Sequence, residues 1–321
     1  MSAFVADPII RLDHVSKRFG ENPAVNDVSF EVQPGRCVGW LGPNGSGKTT
    51  LIRCILGLAR VSSGTIEVRG HPIPAETRQA LERVGGIVEE PRFYPYLSGR
   101  GNLDVWARFT GGRAAERIDW ALDRVKLSDR ANSPVKQYSL GMRQRLGVAR
   151  SLLTDPELLI LDEPSNGLDP AGIVEFRDMI RSFVEEDGRT VFISSHLLDE
   201  VEKLADDIAI VQAGRLVMHG PVKELVAGGR SSIRLRVDSP DRVDGVLRPA
   251  GLAGTIVRHE DGSLNLTLSH MDDQVAMLIT RTLVEAGIGV AEIIHERESL
   301  EERFLDITAG ATPGEIGGAG S

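Results

Sequence analysis

The run from Gly42 to Thr50 places the strongest constraint on what this chain can fold into. It reads G-P-N-G-S-G-K-T-T, after an apolar stretch at 37–41 and before a helix-forming stretch at 51–56. Glycines in such a loop let several backbone N–H groups turn inward, and the start of the next helix adds partial positive charge. Lys48 is suited to reach the β- and γ-phosphates of a nucleotide, and the Thr49 hydroxyl to hold Mg²⁺. The pattern therefore predicts a strand, a phosphate-binding loop and a helix.

Composition narrows the class of protein only slightly. The 321 residues carry a net charge of −9 and contain no long basic block, so we expect no nucleic-acid partner. No apolar stretch reaches the roughly 18–20 residues that a bilayer span needs, and residues 1–7 do not resemble a secretory signal. The two cysteines, Cys37 and Cys54, have no metal-ligand spacing, and we interpret them as small buried apolar residues in a reducing compartment.

Strand and helix patterns divide the chain into two predicted domains. Residues 1–228 are typical of an α/β P-loop NTPase core with a mixed, mainly parallel sheet and a helical subdomain at about 92–153. Residues 229–308 follow the order β-α-β-β-α-β, which predicts a small α+β ferredoxin-like accessory domain, with a last helix at Ser299–Ile307. The tail 309–321 is rich in glycine and alanine, and we expect it to be disordered.

Two acidic residues follow the continuous apolar run at 158–161. Asp162 and Glu163 come at the carboxyl end of this predicted parallel strand, where α/β sheets bind ligands. Asp162 is suited to place Mg²⁺, and Glu163 to orient or deprotonate an attacking water. Two solvated surface acids are the alternative interpretation, but the phosphate loop upstream favours hydrolysis of a nucleotide.

With these features in place, the chain resembles the ATP-binding subunits of ABC transporters over residues of about 8–225. The segment 138–144, Y-S-L-G-M-R-Q, lies where that family has its signature. The segment 165–169 resembles the family's D-loop, and His196, after two serines, resembles its switch histidine. Phe19 lies where the family places an aromatic ring against adenine.

The resemblance implies a site shared between two copies of the chain, with ATP and Mg²⁺ as cofactors and a homodimer as the ATP-bound state. The implied catalytic residues are Glu163 and His196. The implied nucleotide-binding residues are Phe19, Gly42, Asn44, Gly45, Gly47, Lys48, Thr49 and Thr50. The implied signature residues, which act on the ATP of the second chain, are Ser139, Gly141, Gln144 and Asp169. The implied metal ligands are Thr49, Asp162 and Glu89.

The chain departs from the family pattern at two places. Leu140 and Met142 replace a glycine and a glutamine of the signature, whereas Ser139 and Gly141 retain its phosphate-side residues. Glu89 lies where the family often has a glutamine that touches Mg²⁺ and links the site to the permease. We expect the switch role of this position to survive and the affinity for Mg²⁺ to change, because a carboxylate adds negative charge near the phosphates.

The segment 89–103 resembles a subgroup associated with drug and peptide-antibiotic export or self-resistance. Phe93, Tyr94 and Tyr96, with two prolines, form a stiff apolar stretch that in the family receives the membrane subunit. Packing in a seam between lobes is the alternative, and the residues favour neither. The resemblance implies a separate integral-membrane permease and a peripheral position on the cytoplasmic face of the cell membrane.

Two other functions have to be weighed against this one. A soluble ABC-type nucleotide switch, acting without transport, usually has two ATPase cassettes or long coiled coils, and this chain has one cassette and no heptads. A P-loop kinase is disfavoured by the signature at 139–144 and by His196. The main hypothesis is therefore an ATP-hydrolysing subunit that powers a permease exporting a drug, an antibiotic peptide or another hydrophobic compound.

Overall fold

The computed structural model describes residues 7–227, 231–259, 261–268 and 273–297. The predicted helix at Ser299–Ile307 and the predicted tail at 309–321 lie outside these residues. The chain divides into two compact units, Met1–Val222 and Lys223–Ser321. The boundary predicted at residue 228 falls just beyond the short helix that begins at the end of the first unit.

The first unit alternates strands and helices along most of its length. Its strands are β1 (Ile10–Phe19), β2 (Asn22–Val32), β3 (Cys37–Leu41), β4 (Ser63–Val68), β5 (His71–Ile73), β6 (Val84–Ile87), β7 (Leu158–Asp162), β8 (Thr190–Ser195), β9 (Asp207–Gln212) and β10 (Arg215–Pro221). Its helices are α1 (Lys48–Ile55), α2 (Thr77–Leu81), α3 (Gly99–Thr110), α4 (Ile118–Arg124), α5 (Leu140–Leu152), α6 (Pro170–Glu185) and α7 (Leu198–Glu202), and α8 (Val222–Ala227) starts at its last residue.

Two sheets enclose the core of this unit. A six-stranded sheet has the order β10-β9-β3-β8-β7-β6, parallel except for the β9–β10 pair. An antiparallel sheet has the order β2-β1-β4-β5. Trp40 of β3 packs between the two sheets. Its ring centroid lies 5.7 Å from that of Phe30 on β2 and 6.0 Å from that of Phe192 on β8. Strands β3, β7 and β8 are buried at every residue, as the continuous apolar run of β7 at 158–161 predicts for that strand.

The parallel strands of the large sheet position the candidate site. Because β3, β7 and β8 run in the same direction, the segments that follow them meet at one edge of the sheet. These segments carry the phosphate loop after β3, Glu163 after β7 and His196 after β8. The α/β class with a mixed sheet, predicted from the sequence, is confirmed.

Among the described residues, the second unit continues after α8 with four strands and two helices in the predicted order. They are β11 (Ser231–Val237), α9 (Val243–Leu247), β12 (Thr255–Arg258), β13 (Leu264–Thr267), α10 (Asp273–Glu285) and β14 (Val290–Arg297). The sheet order β12-β13-β11-β14, antiparallel throughout, is that of a ferredoxin-like fold. Its core includes Ile233, Leu235, Leu266, Ile279 and Leu283, all with no exposed surface.

Candidate functional site

The phosphate loop is held in shape by its neighbours. Gly47, at the N-terminus of α1, has a φ of 99°, which favours glycine. A Cβ added there would lie 2.0 Å from the carbonyl oxygen of Ala24, so space forbids a side chain as well. At the other end of the loop, the Gly42 N–H donates to the Ser195 carbonyl over 3.2 Å. The loop is therefore fixed both to the β2 strand and to the end of β8.

Lys48 folds back across this loop. Its side chain is only 5% exposed, and its Nζ donates to the carbonyl oxygens of Gly42 at 2.6 Å and Pro43 at 3.2 Å. The same nitrogen lies 3.2 Å from Glu163 Oε1. The ammonium group is therefore prepositioned over the loop and shared with the carboxylate that follows β7. Thr49 and Thr50 occupy the first turn of α1 and are half-buried, while Asn44 and Gly45 are exposed.

The two acids after the apolar strand occupy different environments. Asp162 is 5% exposed, and its Oδ1 accepts from the Ser194 hydroxyl at 2.6 Å. The Glu163 carboxylate accepts from His196 Nδ1 at 2.7 Å through Oε2, while Oε1 faces Lys48. The structure therefore brings Lys48, Asp162, Glu163 and His196 to one place, with Glu163 between two cationic or donor groups.

Ser194 contacts both acids, and the sequence motifs did not single it out. Besides contacting Asp162, its hydroxyl accepts from the Glu163 backbone N–H at 3.0 Å, and its carbonyl accepts from the same N–H at 3.2 Å. Glu163 has a φ of 47°, in the left-handed region that a non-glycine residue adopts only at a cost. The bonds from Ser194 hold it there. The only sequence signal was its place before His196.

Glu89 contacts α1, the helix that follows the phosphate loop. Its Oε1 forms an ion pair with Arg53 Nη2, from the last turn of α1, and its side chain is 64% exposed. It also borders the same cavity as Asp162 and Glu163. The structure thus places the predicted metal ligand Glu89 near the site but in contact with a cation of the protein.

The signature segment forms the start of a helix. Ser139 caps α5 by accepting from the Met142 N–H at 3.2 Å, and Asp169 caps α6 in the same way from the Gly172 N–H at 3.0 Å. Ser139, Gly141 and Asp169 line one cavity of about 340 Å³, at the beginnings of both helices. Two helix N-termini facing one space make it favourable for an anion.

Gln144 does not join that group. Its side chain is buried, with 6% exposed, and it lines a second cavity of about 260 Å³ together with the carboxylates after β6 and β7. The two cavities adjoin, because Leu140 and Gly167 border both of them. Gln144 differs from Ser139, Gly141 and Asp169 in burial, since those three residues are exposed or half-buried.

Phe19 is the last residue of β1, and its ring is 59% exposed. The Lys17 Nζ lies 4.9 Å from the ring centroid, so one face already interacts with a cation. The hairpin that carries Phe19 continues into β2, whose Ala24 carbonyl crowds Gly47. The hairpin of β1 and β2 therefore carries the exposed Phe19 ring and also packs against the phosphate loop at Gly47.

The aromatic segment is half packed and half exposed. Asn102 organises it, because its Oδ1 accepts from the Tyr94 N–H at 2.8 Å and its Nδ2 donates to the carbonyl oxygens of Tyr94 and Ser98. Phe93 is partly buried beside Arg150, whose guanidinium carbon lies 5.6 Å from its ring centroid. Burial lowers the pKa of the Arg150 guanidinium.

We call the exposed part of this region the aromatic surface: Tyr94, Tyr96, Trp106 and Phe109. Tyr96 and Phe109 are 81% and 82% exposed. Phe93 packs inside, as the packing alternative expects, whereas Tyr94 and Tyr96 face outward and remain available for contact with a partner.

Comparison with known proteins gives one family. The family model described as ABC transporter matches residues 25–166. An uncharacterized ABC transporter ATP-binding protein, YdbJ of Bacillus subtilis (strain 168), is 47% identical over 304 residues, or 95% of this chain and 96% of that protein. Among the described residues, no helix is long and apolar enough to cross a membrane.

Two further relatives have names that state a process. The bacitracin transport ATP-binding protein BcrA of Bacillus licheniformis is 38% identical, covering 95% of this chain and 99% of that protein. The daunorubicin resistance ATP-binding protein DrrA3 of Streptomyces coeruleorubidus is 38% identical, covering 95% and 97%. The solved structure of CbiO1 from Clostridium perfringens, part of an ABC transporter complex, aligns with a TM-score of 0.64 and 26% identity over 76% of this chain and 98% of that one.

Proposed function

This chain belongs to the ABC transporter family as an ATP-binding subunit that hydrolyses ATP to power a membrane permease, and from that premise we propose that the permease exports a drug, an antibiotic peptide or another hydrophobic compound. The observation that carries the proposal is the alignment with the bacitracin and daunorubicin proteins, which extends over 95% of this chain. It therefore includes the second unit as well as the ATPase core.

In this proposal the phosphates occupy the space over Gly42–Thr50. Lys48 turns from the loop carbonyls and from Glu163 toward the β- and γ-phosphates, and the N–H groups at the start of α1 complete the cradle. Phe19 offers its exposed ring face to the adenine. Asn44, Gly45, Gly47, Thr49 and Thr50 form the rest of the nucleotide-binding set.

In this proposal, Glu163 activates the attacking water. Its carboxylate faces the space over Lys48, and His196 Nδ1 holds its second oxygen at 2.7 Å, which fixes the direction of the first. The imidazole keeps its other nitrogen for the γ-phosphate region. When bound, Mg²⁺ would neutralise charge on the phosphate oxygens.

The residues present suit a magnesium ion of this kind. Asp162 is a buried carboxylate whose described contacts are with a hydroxyl and not with a cation, and Thr49 supplies a hydroxyl at the start of α1. Oxygen ligands of this type are those that Mg²⁺ prefers, with water and phosphate completing the shell. We propose Thr49 and Asp162 as the residues that hold it, with Glu89 as a further ligand if it leaves Arg53.

ATP-binding subunits of this family dimerise and work with permeases, and we propose that a second copy of this chain supplies the signature to each ATP. Ser139, Gly141 and Asp169 share one cavity at two helix N-termini, which supports their action on the γ-phosphate of the other chain. The permease would contact the aromatic surface, which keeps large aromatic rings in solvent on a rigid, Asn102-bonded support. The chain would then lie peripherally on the cytoplasmic face of the cell membrane.

The decisive experiment measures export in cells. Cells that express this chain together with a membrane permease that co-purifies with it should accumulate less daunorubicin, or survive more bacitracin, than cells without the chain. Lys48→Ala should abolish that difference, because the buried ammonium over the loop is lost, and Lys223→Ala, at an exposed position on α8, should not.

Purification provides the counter-test. A chain that co-purifies with no membrane protein, and whose ATPase activity changes no transport, would favour the soluble nucleotide switch over the exporter subunit.

A further inference from the structure

Arg150 is a half-buried cation without a carboxylate beside it. It lies in the last turn of α5, and its guanidinium carbon is 5.6 Å from the ring centroid of Phe93 and 4.8 Å from that of Trp106. Among the described residues, no acidic side chain contacts this guanidinium. Burial lowers the pKa of Arg150, and no nearby carboxylate offsets that effect. Because removing a cation from water is costly unless an anion compensates it, a negative partner would stabilise Arg150.

The other arginines of α5 have such partners within the chain. Arg143 Nε lies 3.7 Å from the Glu90 carboxylate, and Arg145 Nη1 lies 3.5 Å from that of Glu175. The two rings beside Arg150 attract its charge but leave its N–H donors without acceptors. A partner can reach these donors, because no Arg150 nitrogen is among the described polar atoms that are fully covered and lack a hydrogen bond.

Two further cations border the aromatic surface. Lys136 Nζ lies 5.2 Å from the ring centroid of Tyr96, and Arg92, just before this surface in the chain, is exposed. Neither has an acidic partner among the described residues, whereas the nearby Glu89 and Glu90 already contact arginines. The aromatic surface is therefore positively charged, although the whole chain has a net charge of −9.

A partner that complements this surface supplies both apolar side chains and a carboxylate. The apolar side chains would cover the exposed rings of Tyr96, Trp106 and Phe109, and the carboxylate would accept from the Arg150 guanidinium. A membrane surface fits less well, because lipid head groups pair best with fully exposed cations and Arg150 is half-buried between two rings. An amphipathic protein segment fits better, since it buries rings with one face and directs an acid to a single position.

We propose that the permease segment that contacts the aromatic surface carries a glutamate or aspartate, and that this acid forms an ion pair with Arg150. The inference rests on the proposed function, since it takes the partner of the aromatic surface to be the permease. It adds the chemical nature of the contact, which is an acidic amphipathic segment held at one arginine among aromatic rings. Arginine and large aromatic residues are the types that contribute most to binding at protein interfaces.

The position of Arg150 would connect this contact to the signature. Ser139 and Gly141 lie at the opposite end of α5, about 16 Å away along the helix axis. A partner bound to Arg150 would therefore hold the same helix that presents these residues to the ATP of the other chain. Permease binding and dimer formation would then be linked, and each would raise or lower the affinity of the other by the same factor.

Arg150→Met tests the ion pair, because methionine can still pack between Phe93 and Trp106 but carries no charge. The probe is the permease that co-purifies with the full-length chain, reconstituted in nanodiscs of neutral lipid. We expect the dissociation constant of the chain–permease complex to rise at least about 10-fold, because the acid of the permease would be left buried and unpaired. The melting temperature of the isolated chain should stay equal or rise, since a half-buried cation without a counter-ion is removed.

Charge reversal identifies the acid. Arg150→Glu should abolish binding, because two carboxylates would then face each other. Each acidic residue in the cytoplasmic segments of the permease is next replaced by lysine, and one of these changes should restore binding to Arg150→Glu while weakening binding to wild type. Arg78→Met, at an exposed position on α2, is the control for net charge and should leave the dissociation constant unchanged.

The same measurements distinguish failure of the ion pair from failure of the proposed function. Equal dissociation constants for Arg150→Met and wild type would overturn the inference, as would the absence of any compensating lysine. Binding to phosphatidylglycerol vesicles, but not to phosphatidylcholine vesicles, that is lost in Arg150→Met would assign Arg150 to a membrane surface and also overturn it. If no permease binds wild type, the proposed function itself is contradicted.

Discussion

Ser194 illustrates how one hydroxyl supports two acids with different tasks. It donates to the buried Asp162 carboxylate and accepts from the backbone N–H of Glu163, which sits in a left-handed conformation. Asp162 could be singled out from the sequence because it follows an apolar strand. Its partner could not, since Ser194 lies 32 residues further along the chain and meets Asp162 only through the parallel pairing of β7 and β8.

We therefore expect Ser194→Ala to damage the site more than the fold. Removing a hydrogen bond to a buried charged group should lower the free energy of unfolding by about 2 kcal/mol. ATP turnover should fall at least about 10-fold, because a rise of only about 1.4 kcal/mol in the activation free energy lowers a rate by that factor. Ser195→Ala is the control, because Ser195 is equally buried but its hydroxyl accepts from the Leu197 N–H and contacts neither acid. Denaturant melts and steady-state turnover, measured side by side, distinguish the two, and equal turnover in both variants would contradict this role.

At the scale of elements, the sequence predicts best where one physical pattern dominates. Strands β3 and β7 are fully buried and have nearly continuous apolar sequences, while the hairpin of β12 and β13 is marked by its Asp261-Gly262 turn. Strand β6 is not indicated by its sequence, because Gly85 and Gly86 suggest a turn. The structure shows why Gly85 is there: a Cβ would lie 2.8 Å from the Ser151 carbonyl of α5, which packs on the strand.

The sequence did not predict which side chains of different elements contact each other. The resemblance to the family signature grouped Ser139 and Gly141 with Gln144, but a helix turns about 100° per residue. Gln144 consequently faces inward, while Ser139 remains at the exposed cap. The ion pair of Glu89 with Arg53 likewise depends on where α1 ends relative to the segment after β6.

One junction of elements gives a prediction about acid stability. Asp155, in the turn between α5 and β7, contacts Arg117 at 2.9 Å, Arg189 at 3.0 Å and Arg83 at 3.5 Å. Partial burial would raise the pKa of Asp155, but these three arginines together lower it. A carboxylate whose pKa is lowered in the folded state stabilises the fold above its unfolded pKa of about 4, and that contribution disappears as the pH falls further.

Asp155→Asn should therefore cost about 1 kcal/mol near pH 6, a modest amount because the carboxylate is partly solvated. The difference in melting temperature from wild type should shrink as the pH falls from 5 to about 3. Asparagine tolerates the φ of 50° at this position, so the backbone is not an added variable. Asp178→Asn, at an exposed pair on α6, is the control; a pH-independent difference for Asp155→Asn would show that its charge is irrelevant.

For the whole molecule, the main feature is that the candidate site residues fall into two groups. Lys48, Glu163 and His196 gather at the end of the large sheet, whereas Ser139, Gly141 and Asp169 line a different space of about 340 Å³. The proposed site is complete only if a second chain brings its signature cavity to the first chain's phosphate loop. The fold class and the family follow from the sequence. Which residues lie together in each group depends on how the strands and helices pack, and the sequence does not predict that.

Glu163→Gln should trap that pairing. Without a carboxylate to activate water, ATP should persist and hold two chains together, so gel filtration with ATP and Mg²⁺ should show a dimer that ADP does not support. Adding Ser139→Arg should return the protein to a monomer, because the side chain would fill the signature cavity. A monomer in the single variant would argue against a shared site, and a dimer in the double variant would argue against the signature as the contact.

The contact between Lys48 and Glu163 has a further consequence for how the site is emptied. The carboxylate lies 3.2 Å from the ammonium that the γ-phosphate would need, so the protein carries a tethered competitor of its own ligand. A tethered group acts at a high effective concentration. In the proposed site, each nucleotide would displace Glu163 on entry, which would lower its apparent affinity. After cleavage, the same carboxylate would pair with the lysine again as the phosphate departs, so a residue that activates the attacking water would also hasten the release of the products.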